Sequence, residues 1–368
     1  MRLILSLAPV LAAHAAAQPL VLPASRTPLS TELPDASPVP LMAGASRLQV
    51  LHDAGELGGN TQFVVQRVGL RFDGPSAGAA TQHSIANLTL RLGGTHVRTA
   101  DAGSVFAANL SQPLATPLQD VRFDFTADAS AVPGPEPFGG PAGELFFPLP
   151  QPVAVSVPAG GAFAFELLCS GNDNPGAIAL LDAVIDPANF QQPGAATSNG
   201  RGCPLGVASP GPVLDTYGVY EPGGSISIVG HDFTPNAPVG VVVTASLFQS
   251  PLAFPNTQPI CWSYVDPGTT ILTLAFVASA NGTVGGGEPL PIPKRPAPAG
   301  AVIYVQAVTP VAPFAGNTFG AASSNYRTIQ VGAAKAPTLG AWLAVSSHGP
   351  AAAVAEAAFY GAFALHLQ

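Results

Sequence analysis

Charge is scarce in this chain of 368 residues: 9% are Asp, Glu, Lys or Arg, and lysine occurs only at Lys294 and Lys335. With a formal net charge of −8 and so few cations, it cannot neutralise a phosphate backbone over a useful area, which excludes nucleic-acid binding. The solvent-facing sides of its elements must rely on Thr, Ser, Gln, Asn and Ala. Cysteine is scarce as well, limited to Cys169, Cys203 and Cys261. No pair has the C-x-x-C spacing that would suggest zinc or redox chemistry. Catalytic signatures are missing too: there is no G-x-S-x-G elbow, H-E-x-x-H, phosphate loop or dinucleotide fingerprint. Aromatic residues make up 7%, with Trp262 and Trp342 the only tryptophans.

Glycine and proline are abundant, at 40 residues each, while apolar residues reach 47%. The turn formers are spread between short apolar runs rather than clumped, which predicts an all-β protein with many turns instead of a disordered chain.

The N-terminus reads as an export signal. Met1-Arg2 is a short basic region, residues 3–13 are apolar, and Ala15-Ala16-Ala17 offers a small-residue cleavage site. Residues 1–17 are expected to be removed, leaving Gln18 first. No membrane span is expected afterwards: the leader is too short, and residues 351–367 contain Glu356 and His366.

Residues 18–45 carry Pro23, Pro28, Pro34, Pro38 and Pro40 and read as an extended lead-in. From 46 to 190 the runs alternate with period two. Val68, Leu70 and Phe72 face one way while Arg67 and Arg71 face the other. Leu88, Leu90 and Leu92, then Val121, Phe123 and Phe125, then Phe163, Phe165 and Leu167 repeat the pattern. Strands packed on one side read this way, so a first β-sandwich of jelly-roll or Ig-like type is expected. Residues 191–202 are small and polar and suit a linker. A second β-sandwich in tandem is expected over 203–332, followed by an Ala-rich tail, 333–368, read as a helix packed on the second domain. The stretches Pro148-Leu-Pro150 with Pro158-Ala-Gly160, and Pro289-Leu-Pro291 with Pro298-Ala-Gly300, echo each other. Shared turn chemistry explains the echo more simply than an internal repeat.

Three cysteines allow one internal bridge and leave one thiol, with all three pairings open. The preferred pair is Cys203 with Cys261, whose long loop would contribute on the order of 4 kcal/mol in the chain-entropy picture. Cys169 closes an alternating run and reads as a buried hydrophobe. Trp262, beside Cys261, reads as core. Asn172-Asp173-Asn174 is the best oxygen-rich cluster and the only candidate calcium site, set against an ordinary turn; otherwise no cofactor is expected. Asp120, Asp124, Glu136, Glu144 and Glu166 are the carboxylates a hydrolase would draw on, and they read as solubilising charges on outer faces.

From Gly202-Cys203-Pro204 through Pro222-Gly-Gly-Ser-Ile-Ser-Ile-Val-Gly230, Cys261 and Leu290-Pro-Ile-Pro293 to Asn325-Tyr-Arg-Thr-Ile-Gln-Val331, the chain resembles a recurring C-terminal β domain. That domain is found in uncharacterised exported proteins of environmental bacteria. Arg47-Leu-Gln-Val-Leu-His-Asp53 and Ile85-Ala-Asn-Leu-Thr-Leu-Arg-Leu92 look like the N-terminal module of such proteins. The resemblance implies a Cys203–Cys261 disulfide and no particular chemistry. The functional expectation is a non-catalytic secreted or cell-surface protein, structural, adhesive or glycan-binding, partnered by extracellular polysaccharide or an envelope protein. The alternative is a secreted polysaccharide hydrolase using first-domain carboxylates.

Overall fold

The computed structural model describes residues 20–22, 35–36, 45–71, 81–127, 144–173, 181–186, 189, 194–206, 210–257, 260–285, 287, 289–294, 298–333, 337, 339–363 and 365–368. The expected leader, most of the lead-in, Phe72, Glu136, Asn174 and Lys335 lie outside these residues. Every strand pairing among the described residues is antiparallel. The protein is nearly all β, as the period-two runs predict.

A first group of strands comprises β1 (Leu20–Leu22), β2 (Asp35–Ala36), β3 (Ser46–Asp53), β4 (Gln62–Arg71), β5 (Thr81–Thr95), β6 (Ala115–Ala127), β7 (Glu144–Ser156), β8 (Ala162–Asn172) and β9 (Asp182–Ile185). A second comprises β10 (Ala195–Asn199), β11 (Val213–Gly218), β12 (Ser225–His231), β13 (Pro238–Thr244), β14 (Leu247–Ala253), β15 (Trp262–Val265), β16 (Thr270–Val277), β17 (Leu290–Pro291), β18 (Val302–Pro310) and β19 (Ala321–Gln330). Three more close the chain: β20 (Ala341–Ser346), β21 (Ala357–Phe363) and β22 (Leu365–Leu367).

Two sheets form the first body, ordered β2-β9-β21-β20-β3-β8-β5-β6 and β1-β22-β4-β7. One apolar cluster fills the space between them. Leu48, Leu90, Phe165 and Leu343 come from the first sheet, and Val68, Leu70, Phe147 and Leu365 from the second. This sandwich-like packing is what one-sided alternation demands. The second body sets the five-stranded sheet β10-β19-β18-β13-β16 against β11-β12-β17. Its core joins Val239, Val241, Val305 and Ile329 to Leu214, Ile226 and Ile292.

The tail corrects the sequence expectation. Its described residues form the strands β20, β21 and β22, not a helix, and these complete the first body rather than packing on the second. Strand β20 lies between β3 and β21, and β22 between β1 and β4. All six residues of β20 are buried. Its Leu343 and Val345 face the sandwich core. Trp342 and Ala344 face the opposite side with Ala352, Ala355 and Ala358, under a segment carrying Ala102 and Phe106. Alanine's helix preference is worth only tenths of a kcal/mol per residue, and burial of both strand faces outweighs it. The second body is thus inserted between β9 and β20.

The two echoed turns have one geometry. Gly161 N–H donates to Pro158 O at 2.9 Å and Ala301 N–H to Pro298 O at 2.8 Å, with φ of 70° at Gly160 and 76° at Gly300. Glycine supplies the positive φ that such a turn needs before β8 and β18.

Candidate functional site

Cys203 and Cys261 form the disulfide, 58 residues apart with Cα atoms 5.2 Å from each other. The bridge ties the segment before β11 to the start of β15. Cys169 is free and buried, and burial pushes its thiol up to about 12, which keeps it protonated and unreactive.

Beside the bridge, β15 runs over the outward face of the five-stranded sheet. The backbone N–H of Tyr264 donates to Gln306 Oε1 at 2.9 Å, and Gln306 Nε2 donates to Trp262 O at 3.1 Å and Ser324 O at 2.9 Å. Gln306 is itself buried, so one amide pins β15 onto β18 and β19. Because β15 lies on the outside, Trp262 is half-buried instead of in the core. Trp342 is the core tryptophan, 3% exposed.

This arrangement gathers three tyrosines. Gln306 pairs with Tyr326 and Tyr304 with Thr328 across β18–β19, which sets Tyr304 and Tyr326 on one face, diagonally across the ladder. The Tyr264 ring meets Tyr326, with centroids 4.9 Å apart and planes at 35°. All three side chains are half-buried, and none of their hydroxyls bonds to another described residue. Desolvation by burial pushes the Tyr326 phenol upward, and the neighbouring Tyr264 and Tyr304 add to this. Strand β10 extends the same face with Thr197 and Asn199, which pair with Thr328 and Tyr326. Asn199 Nδ2 donates to Thr328 Oγ1 at 3.1 Å. The neighbouring residue, Gly200, has φ of 71°, and a Cβ there would come within 2.9 Å of the Tyr264 ring. Glycine is therefore required for the ring to lie where it does. Register places Thr197, Asn199, Tyr304, Gln306, Tyr326, Thr328, Val242 and Thr244 on this face, and none of them is charged.

Sequence reading missed this face. Tyr304 and Tyr326 were legible as members of β runs, but β15 and the disulfide bring Tyr264 to them from some forty to sixty positions away. The sole hint was a tyrosine at the outward position of each of two strands, Tyr304 between Ile303 and Val305 and Tyr326 between Asn325 and Arg327.

The expected calcium cluster is only partly within the described residues. Asn172 ends β8 opposite Ile85, and Asp173 N–H donates to Ser84 O at 3.0 Å. Its carboxylate lies 3.7 Å from His83 Nδ1. Among the described residues, no group of three or more His, Cys, Asp or Glu is arranged to hold a metal ion.

Among the described side chains, the hydrolase carboxylates Asp120, Asp124 and Glu166 do not converge. Asp124 pairs with Arg122 at 3.0 Å on the surface. Asp120, with φ of 51°, accepts from Thr89 Oγ1 at 3.3 Å. Glu144 begins β7, opposite Arg71 in register. Glu166 is not a solubilising surface charge but is wholly buried. It accepts from Arg47 Nη2 at 2.7 Å and Nε at 3.0 Å, from Gln49 Nε2 at 3.2 Å and from Arg91 Nη1 at 3.1 Å. Strand β8 is covered on both faces because the segment with the short 3₁₀ turn Phe106–Asn109 closes over the large sheet.

A cleft of about 520 Å³ lies between the two bodies, lined by Asp101, Ser104, Val105, Asn109, Ile292 and Lys294 among others. Its polar groups are engaged within the protein: Ser104 Oγ donates across the junction to Gly224 O at 2.8 Å, and Asn109 Nδ2 donates within the first body to Gln49 Oε1 at 2.8 Å.

No family model, curated protein or solved structure matches this chain. Among the described residues, no helix is long and apolar enough to cross a membrane.

Proposed function

We propose that this is a non-catalytic secreted or cell-surface protein that binds glycan on the tyrosine face of its inserted body. The observation that carries this reading is the trio Tyr264, Tyr304 and Tyr326, side by side on an uncharged sheet face. A sugar ring has an apolar C–H face and a rim of hydroxyls. An aromatic ring takes the first by stacking, while phenol hydroxyls, Asn199 and Thr197 take the second. Gly200 and Gln306 hold Tyr264 in place before any ligand arrives, so little ordering cost opposes binding.

The export-like leader and the Cys203–Cys261 bridge support placement in an oxidising compartment. So does the resemblance to exported bacterial β proteins. The hydrolase alternative draws nothing from Glu166, whose carboxylate is consumed by two arginines and closed to solvent.

The test is retention of the protein on a panel of immobilised polysaccharides, in calcium and in chelator. The expected result is retention on at least one glycan in both conditions, weakened about tenfold by Tyr326→Ala, a loss of roughly 1.4 kcal/mol. Retention abolished by chelator would move the site to the loop at Asn172 and Asp173. Release of soluble sugar would revive the hydrolase. No retention on any glycan would overturn the proposal.

A further inference from the structure

Strand β16, residues Thr270-Ile-Leu-Thr-Leu-Ala-Phe-Val277, is the last strand of the five-stranded sheet and pairs with β13 alone. Along its other edge, alternate N–H and C=O groups have no described strand to receive them. Proteins usually blunt such an edge with a charge, a proline or a bulge within the strand. This one has no charged residue and no proline over eight positions, and its one bulge falls at its N-terminal end, where Val243 pairs with Leu272 but Thr244 with Thr270, leaving Leu272–Val277 in regular register. Its apolar side chains stand in the open, with Ile271 59%, Leu272 38% and Val277 71% exposed.

From this edge we infer that two copies of the chain pair through β16, antiparallel about a two-fold axis at Leu274. The strand is self-complementary in that register. Ile271 of each copy meets Val277 of the other on the outward face, so the two most exposed apolar residues of the strand cover one another. Leu272 meets Phe276 on the inward face, where Leu274 and Phe276 already pack against the second-body core. The core therefore runs on across the junction, and Leu272 gains the apolar neighbours that it lacks in the single chain. Thr273 meets Ala275, small against small. A like strand brings no charge to oppose, and a two-fold arrangement uses the edge once on each side, so the assembly closes as a dimer instead of growing. The tyrosine face is set by β10, β19 and β18 at the far side of the sheet, so dimerisation presents two such faces without covering either.

Sedimentation equilibrium over a hundredfold range of protein concentration tests this, with melting curves to confirm that each variant folds. The wild-type protein is expected at twice the single-chain mass. Ile271→Lys and Val277→Glu, both on the solvent side, are each expected to give a folded monomer that melts cooperatively, somewhat below the wild-type dimer. Combining them restores the dimer, because only the register centred on Leu274 sets the introduced lysine of one copy against the introduced glutamate of the other. A wild-type monomer throughout, or a dimer indifferent to Ile271→Lys, would overturn the inference. Failure of the double variant to recover would overturn the register.

Discussion

The ammonium of Lys294, on the inserted body, lies 3.9 Å from the centroid of the Trp342 ring on β20. Tyr360 on β21 stands on another side, its ring centroid 4.6 Å away, and the same ammonium donates to Thr99 O at 3.0 Å. One of the chain's two lysines thus fastens the inserted body into an aromatic corner of the host body. Two hydroxyl contacts reinforce it, Ser104 Oγ to Gly224 O and Ser225 Oγ to Glu356 O. Lys294→Met keeps the aliphatic stem and removes the charge, so about 1–2 kcal/mol of stability should be lost. Trp342→Ala empties a buried site and should cost about 3–5 kcal/mol. Urea unfolding followed by tryptophan fluorescence, or by circular dichroism for the Trp342 variant, reads both; an unchanged midpoint in Lys294→Met would sink the fastening role.

Glu166 should be a stability residue. Replacing it with alanine strands Arg47, whose side chain is 13% exposed, together with Gln49, inside a covered layer. Breaking a buried pair from one side costs about 3–5 kcal/mol. A thermal shift of less than a few degrees would show the pair to be open to water.

Stability should fall in mild acid because of His52. The ring is buried, neither nitrogen has a partner among the described residues, and burial drives its pKa from 6.5 down to about 3. Between those values the unfolded chain holds the proton and the folded chain does not, so stability rises with pH through the window. It is complete above about 6.5 and is progressively lost as pH drops toward 3, by up to roughly 5 kcal/mol. His52→Leu should flatten that part of the profile and raise stability at pH 5. Parallel pH profiles for the two proteins would refute this.

Thiol titration without reductant should find no reactive cysteine in the native protein and one after denaturation. The single thiol is Cys169, buried at the β3–β8 ladder beside Ser46; the other two are joined. Three thiols in denaturant would contradict the bridge.

Much of the architecture was legible along the chain because one-sided strands leave a local record. Leu88, Leu90 and Leu92 alternate with Thr89 and Arg91, and the three leucines are fully buried. The turns before β8 and β18 were equally plain, since only glycine takes their positive φ cheaply. The rest turned on partners far away in sequence. Ala344 and Ala358 carry no local sign of being strand residues; they become so because β3 offers β20 a ladder and a buried face on each side. Glu166 reads as an outward charge until Arg47 and Arg91, 119 and 75 positions away, enclose it. The tyrosine face is likewise assembled only once Gln306 pins β15 across β18. Sequence by itself determined strands, turns and the lack of charge, which are properties of neighbours a few residues apart. Sheet order, the insertion of one body in the other and the gathering of Tyr264, Tyr304 and Tyr326 were decided by tertiary structure, because long-range pairing obeys the burial of whole faces rather than any local preference.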